Sequence, residues 1–315
     1  MIKVEKLSKY YGDVKAVKSI DFTVNDGEIL GFLGANGAGK TTTLKVITGY
    51  LMPTSGNVYV NDMNILEHSH EIQKQIGYLA ELNPLYNEMI VYDFLEFIAK
   101  IRRIEGAAYK KALVRVIDQC GLSGVVHRQI GACSKGYKQR IGLATAMIHD
   151  PAILLLDEPV TGLDPNQIVE IRELIKELGK EKLVMISSHI LQEIQATVDR
   201  IVIIHKGEIV ADGTSQELMS GFVGNTQLTL EAHKVNDESL QTFAATHPAI
   251  NVVKTEDLKN DHRILHLEYA KEKDPRTEIF KFAVDSGWVI TEMSPHQIEL
   301  ENIFRSLTKE GGSNA

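Results

Sequence analysis

The stretch Gly34-Ala35-Asn36-Gly37-Ala38-Gly39-Lys40-Thr41 constrains this chain more than any other. It fits the spacing G-x-x-x-x-G-K-[ST], a loop that cradles phosphate groups when a buried strand precedes it and a helix follows. Both flanks are present. The apolar run Ile29-Leu30-Gly31-Phe32-Leu33 reads as a buried strand, and Thr42-Thr43-Leu44-Lys45-Val46-Ile47 as the start of a helix. Gly34, Gly37 and Gly39 let successive backbone N–H groups turn inward as a nest for anionic oxygens. The helix start adds unpaired N–H groups and the positive end of its dipole. Lys40 is expected to reach the β- and γ-phosphates of a nucleoside triphosphate, with the Thr41 hydroxyl on Mg²⁺ and Thr42 beside it in the phosphate-binding set. A glycine-rich turn with a solvated lysine is the bland alternative. Eight residues in register between a strand and a helix leave it little room.

A second apolar run, Ile153-Leu154-Leu155-Leu156, ends in Asp157-Glu158-Pro159. An acid closing a buried strand can hold the hydration shell of Mg²⁺, and a neighbouring acid can orient and activate water. Asp157 is therefore the candidate metal residue and Glu158 the candidate general base. Taken alone, such a pair is as readily two solvated loop acids; the phosphate loop upstream favours the chemical reading.

Composition narrows the class. With 315 residues, 43% of them hydrophobic and 24% charged, the chain can bury a sizeable core. A formal net charge of −8 argues against a mainly electrostatic nucleic-acid binder. The two cysteines, Cys120 and Cys133, have no metal-ligand spacing and suggest a reduced, intracellular chain. Met1-Ile2-Lys3-Val4-Glu5 already alternates like a strand, so no signal peptide is expected. No apolar run approaches the roughly 18 residues that span a bilayer. A soluble protein is expected, reaching a membrane only through a partner.

Strands are predicted over 2–7 and 17–24, with Tyr10-Tyr11-Gly12-Asp13 as a loop between them and Asn25-Asp26-Gly27 as a hairpin turn into 28–33. A helix then runs to about Gly49. A turn at 53–56, a strand at 57–60, a short helix near 69–75 and a strand at 76–79 follow. From about 82 to 150 apolar residues recur at helical spacing, which predicts a helical subdomain inserted in an α/β body. Strands at 153–156 and 183–186 flank a helix at 165–178, and 201–211 reads as a hairpin. The pattern loosens at 220–225, which places a domain boundary between 1–221 and 222–315. The tail reads βαββαβ, a small ferredoxin-like α+β domain, with its last helix at 298–308 and residues 311–315 frayed. No internal repeat or low-complexity segment stands out. Trp288 and the histidines His262, His266 and His296 read as structural.

With these motifs in order, residues 2 to about 220 resemble the ATP-binding subunits of ABC transporters. Tyr11 looks like the aromatic that stacks on adenine. Cys133-Ser134-Lys135-Gly136-Tyr137-Lys138-Gln139-Arg140 looks like the signature segment, Thr161-Gly162-Leu163-Asp164-Pro165 like the D-loop, and His189 like the switch histidine. The resemblance implies a P-loop α/β fold with a mostly parallel central sheet, an antiparallel β subdomain and the helical insertion. It also implies ATP and Mg²⁺ as cofactors. It implies a dimer of identical or paralogous ATPase subunits in which Ser134 and Gly136 of one copy face the ATP held by the other. Asp164 would lie at that interface, and His189 would hydrogen-bond the γ-phosphate.

The chain departs from the family pattern at three points. Cys133, Lys135 and Tyr137 replace three of five signature residues. Glu81 stands where the family has a glutamine and would offer a carboxylate oxygen to Mg²⁺ or its water. Asn83-Pro84-Leu85-Tyr86 looks like the exporter branch that includes gliding-motility subunits. Residues 82–104 would face a multi-span membrane permease, with Tyr86, Met89, Tyr92 and Phe94 as candidates for a groove receiving one of its helices. ATP-driven dimer closure would then power export, with the chain peripheral on the inner face of the membrane. The alternative is a soluble non-transport ATPase of the same type, acting as a mechanochemical or regulatory module.

Overall fold

The computed structural model describes residues 1–221, 225–258, 262–270 and 274–296, together with residue 304. The chain forms two compact units, one from Met1 to Ser215 and the other beginning at Gln216.

The first unit opens with β1 (Ile2–Tyr11) and β2 (Val14–Val24), paired antiparallel with Tyr11 opposite Val14. Tyr10 and Tyr11 therefore belong to a strand rather than to the expected loop, and Gly12, with φ 57°, makes the turn. Next comes β3 (Ile29–Leu33), buried at every position. The expected hairpin at Asn25-Asp26-Gly27 does not form, because β2 and β3 lie in different sheets. A strand that is apolar on both faces needs parallel neighbours with cover on each side, which a hairpin partner does not supply.

Then follow α1 (Lys40–Ile47), β4 (Ser55–Val60), β5 (Met63–Asn64), α2 (Ser69–Gln75) and β6 (Ile76–Leu79). Gly49, with φ 70°, ends the first helix as expected. Next come α3 (Val91–Ile101), α4 (Gly106–Gln119) and α5 (Lys135–Met147), the helical stretch. The unit closes with β7 (Ile153–Asp157), α6 (Pro165–Gly179), β8 (Leu183–Ser188), α7 (Leu191–Ile194), β9 (Arg200–His205) and β10 (Glu208–Gly213); α8 (Ser215–Gly221) opens the second unit.

Two sheets build the first unit. An antiparallel one runs β2-β1-β4-β5; the other runs β10-β9-β3-β8-β7-β6, parallel except for β10 at its edge. Phe22 of β2 stacks on Phe32 of β3, ring centroids 5.4 Å apart, and one apolar core joins both sheets to α1. In the parallel sheet β3, β8 and β7 are neighbours, so their carboxyl ends reach one edge together. Ligands of open α/β sheets bind at that edge.

The second unit has β11 (Asn225–His233), α9 (Asp237–Thr246), β12 (Ile250–Asp257), β13 (His262–Ala270), α10 (Arg276–Asp285) and β14 (Val289–His296). Its strands pair antiparallel in the order β12-β13-β11-β14, the split βαβ arrangement of the ferredoxin-like fold. Trp288 is buried against Phe243 and Phe282, and its indole N–H donates to Ser239 Oγ at 2.9 Å. The helix expected at 298–308 and the frayed residues 311–315 lie outside the described residues, apart from residue 304.

Candidate active site

The loop between β3 and α1 is pinned to the sheet beneath it. Gly34 N–H donates to Ser188 O at 3.1 Å, and Gly207 N–H to Ala38 O at 2.9 Å. Gly39 sits at φ 114°, where a Cβ would come 2.6 Å from the Ala16 carbonyl oxygen. A Cβ at Gly34 would come 2.4 Å from the Ile204 carbonyl oxygen. Gly37, at φ 79°, has open space over its Cα. Two glycines are thus demanded by the backbone behind the loop, while the third leaves its outer face clear for a ligand.

Lys40 is nearly buried. Its ammonium folds back onto the loop, donating to Gly34 O at 2.7 Å and Ala35 O at 3.3 Å. It also lies 3.2 Å from Glu158 Oε1. Thr41 and Thr42 follow in the first turn of α1, partly buried, and Thr43 Oγ1 donates to Gly39 O at 2.9 Å.

Asp157 closes β7 with no exposed surface. Ser187 Oγ on β8 donates to its Oδ1 at 2.5 Å, and the Tyr78 hydroxyl on β6 to its Oδ2 at 3.3 Å. Glu158 follows in the left-handed region at φ 51°, unusual for a residue with a side chain, and its N–H donates to Ser187 Oγ at 3.0 Å. This bend turns the side chain toward the loop. Oε2 accepts from Thr161 Oγ1 at 3.1 Å and lies 2.8 Å from His189 Nδ1. Oε1 is close to Lys40 but off line for a hydrogen bond, and it is a buried oxygen without a hydrogen-bonding partner. Such an atom is costly unless something donates to it, and a water placed there would do so.

The ABC transporter family model matches residues 17–161. The bacitracin transport ATP-binding protein BcrA of Bacillus licheniformis is 41% identical over 214 residues, which is 67% of this chain and 69% of that protein. The chain belongs to the ATP-binding proteins of ABC transporters. BcrA of Enterococcus faecalis is 31% identical over 317 residues, 99% of this chain and 97% of the relative, so the likeness extends through the second unit. A solved ATP-binding subunit of an ABC transporter superposes with a TM-score of 0.63 at 29% identity, covering 70% of this chain and 93% of that one. This ABC subunit is accordingly an ATPase that binds and hydrolyses ATP in transport, and the non-transport alternative finds no support.

Three of the remaining predicted residues of the ABC subunit form a second group. Ser134 caps α5, accepting from Tyr137 N–H at 3.3 Å, and Asp164 caps α6, accepting from Gln167 N–H at 3.0 Å. The Gln167 side chain lies against Gly136, where a Cβ would meet it. Ser134, Gly136 and Asp164 therefore gather around the start of α6, and these bonds run to that helix pair rather than to Lys40 or Glu158. Tyr11 is half-exposed at the hairpin tip, with the Lys9 ammonium 5.4 Å from its ring centroid. Glu81 is exposed just beyond β6, and its charge is among those that raise the Tyr78 pKa. No group of three or more His, Cys, Asp or Glu residues is placed to hold a metal among the described residues. Mg²⁺ usually takes only one or two carboxylates besides phosphate and water, so Asp157 with the Thr41 hydroxyl fits it.

Two readings need correction. Phe94 is core of the helical stretch, 3% exposed, and does not line a surface groove. Tyr92 is partly buried and stacks near His127. Tyr86 does remain exposed, edge-on to Phe94 and Phe97. Sequence reasoning also missed Ser187, Tyr78 and Thr161 as partners of the two acids. Thr161 stands inside the D-loop segment and Ser187 two residues before His189, whereas Tyr78 carries no signal beyond its place in a strand.

Proposed function

We propose that this ABC subunit closes with a second ATPase subunit, identical or paralogous, around shared ATP sites, and so drives export through a separate multi-span permease. The observation that carries this reading is that Ser134 and Asp164 cap α5 and α6 and Gly136 lies against Gln167, with no bond from any of the three to Lys40 or Glu158. Each group is ordered by itself and neither completes the other within one chain. The backbone N–H groups of 34–39, Lys40, Thr41 and Thr42 would receive the triphosphate. Lys40 would exchange its two loop carbonyls for phosphate oxygens, and Tyr11 would stack on adenine. Bound Mg²⁺, held by Thr41 and Asp157 with Glu81 toward its waters, would neutralise charge on the transferred phosphoryl group. Glu158 Oε1 would accept a proton from the attacking water. His189, now on Glu158 Oε2, would turn to the γ-phosphate and report its presence. Ser134 and Gly136 of the partner copy would donate from the start of α5, and its Asp164 would line the interface.

The ATPase domain would span 1–221, with its helical subdomain over about 82–150, and 222–315 would form a separate C-terminal domain. Export is favoured by the bacitracin transport names of the relatives; the two curated relatives above are not gliding-motility proteins. Residues 82–104 would face the permease. Tyr86, Phe97 and Ile101 are exposed there, beside Arg102 and Arg103. No helix among the described residues is long and apolar enough to cross a membrane, so attachment at the inner face would run through that partner.

Mixing two dead subunits tests the shared site. Ser134→Arg and Lys40→Ala chains, each inactive alone, should regain hydrolysis when combined, because one composite site in the mixed dimer carries neither lesion. If no ratio restores turnover, the result favours a monomeric site or strict coupling between the two sites.

A further inference from the structure

Hydroxyls from the two flanking strands hold the two oxygens of the Asp157 carboxylate. Ser187 on β8 donates to Oδ1 at 2.5 Å; Tyr78 on β6 donates to Oδ2 at 3.3 Å. The restraints differ in strength. The Ser187 bond is short, charge-assisted and buried. The Tyr78 contact is beyond the usual O–H···O range and is therefore the weaker and more easily altered of the two. The phenol is a donor at neutral pH, since a tyrosine hydroxyl ordinarily titrates only near about 10.

Tyr78 also faces a second environment. Its side chain lines a cavity of 710 Å³ with Thr48 and Tyr50 beyond α1, Lys74 on α2, and Ile101 and Arg102 at the end of α3. One side chain thus touches both the carboxylate at the sheet edge and a cavity that opens beside the residues we assign to the permease face. β6 is the edge strand of its sheet and pairs with β7 alone.

We propose that Tyr78 is a positioning residue for ATP hydrolysis: its hydroxyl steadies Asp157 Oδ2, and filling the cavity that Tyr78 lines changes that hold. The proposal rests on the reading of Asp157 as the residue that carries Mg²⁺.

The full-length chain can be tested with Mn²⁺ as the metal probe, its binding in the presence of ATP followed by electron paramagnetic resonance. Tyr78→Phe removes the hydroxyl and keeps the ring. It should weaken Mn²⁺ binding about three- to tenfold, the range expected for one modest hydrogen bond, while metal-free ATP binding is unchanged. The Mg²⁺ concentration for half-maximal hydrolysis should rise in parallel. Asp157→Asn is the control: if it leaves Mn²⁺ binding intact, the reading of Asp157 fails and takes the proposal with it. If Asp157→Asn weakens the metal but Tyr78→Phe does not, that reading stands and the positioning role is overturned. Ile101→Trp, at an exposed position, fills part of the cavity without touching the site. It should change Mn²⁺ affinity at least about twofold in the wild-type background and leave it unchanged beside Tyr78→Phe. Equal changes in both backgrounds, or none in either, would overturn the link to the cavity.

Discussion

At the scale of single residues, the acid after β7 and the one after β6 separate by environment. Glu158 is buried, bent out of the usual backbone region and surrounded by Lys40, Thr161 and His189, with one oxygen left for a water. Glu81 is exposed. Glu158→Gln should therefore lose on the order of a hundredfold or more in turnover, as expected for a general base. Glu81→Gln should stay within about tenfold, ~1.4 kcal/mol of barrier. Steady-state hydrolysis of both variants checks this, and equal losses would show that Glu81 shares the role of base.

His149 carries a pH dependence of stability. Its Nε2 lies 3.1 Å from Ile76 O, its Nδ1 is buried without a partner, and its pKa is lowered to about 4 from 6.5. Burial is the main cause; the Arg102 charge adds to it, and Asp150 opposes it weakly. The folded state therefore takes up the proton later than the unfolded chain. The stability is full above pH ~6.5 and falls as pH drops toward ~4. After discounting for partial exposure, the loss is no more than roughly 2 kcal/mol. Urea midpoints at pH 7 and pH 4.5 should differ less for His149→Gln than for the wild type.

At the scale of elements, the phosphate loop shows glycines kept for different reasons. A methyl group on Gly39 combines a left-handed backbone with a clash against Ala16 O, whereas one on Gly37 meets only the backbone cost. Gly39→Ala should lose about 1–3 kcal/mol and distort the loop. Gly37→Ala should lose nearer ~1 kcal/mol. Denaturant midpoints rank them. A reversed ranking would mean that the loop is not pressed against β1–β2 as described. Local chemistry made much of this element legible beforehand: strand, glycines, lysine and helix start lie within about 20 residues, and each step is a short-range rule. The hairpin at Asn25-Asp26-Gly27 was misread for the opposite reason. Turn residues say that the chain bends; which sheet the next strand joins is decided by the distant strands β8 and β9.

At the scale of the whole molecule, the proposed sharing of ATP sites would couple turnover to association. Glu158→Gln keeps the binding groups and removes the base, so it should accumulate as a dimer under saturating ATP and Mg²⁺. Size-exclusion chromatography with light scattering checks this, and a monomer under those conditions would count against closure around shared sites. Lys40→Ala should instead remain monomeric, since a charge-assisted contact to phosphate is typically worth ~1.5–3 kcal/mol.

By itself the sequence determined the phosphate loop, Asp157 and Glu158, the helical insertion and the βαββαβ order of the tail. All of these follow from periodicity, turn chemistry and motifs confined to neighbouring residues. Tertiary structure alone decided that Phe94 is core, that Tyr11 ends a strand, and that Ser187, Thr161 and Tyr78 hold the two acids. It also brought residues 34–39, 157–158 and 189 to one sheet edge while leaving Ser134, Gly136 and Asp164 around α6. The physical reason is the parallel order β3-β8-β7. It joins strand ends that lie far apart along the chain, and no local pattern records which ends will meet.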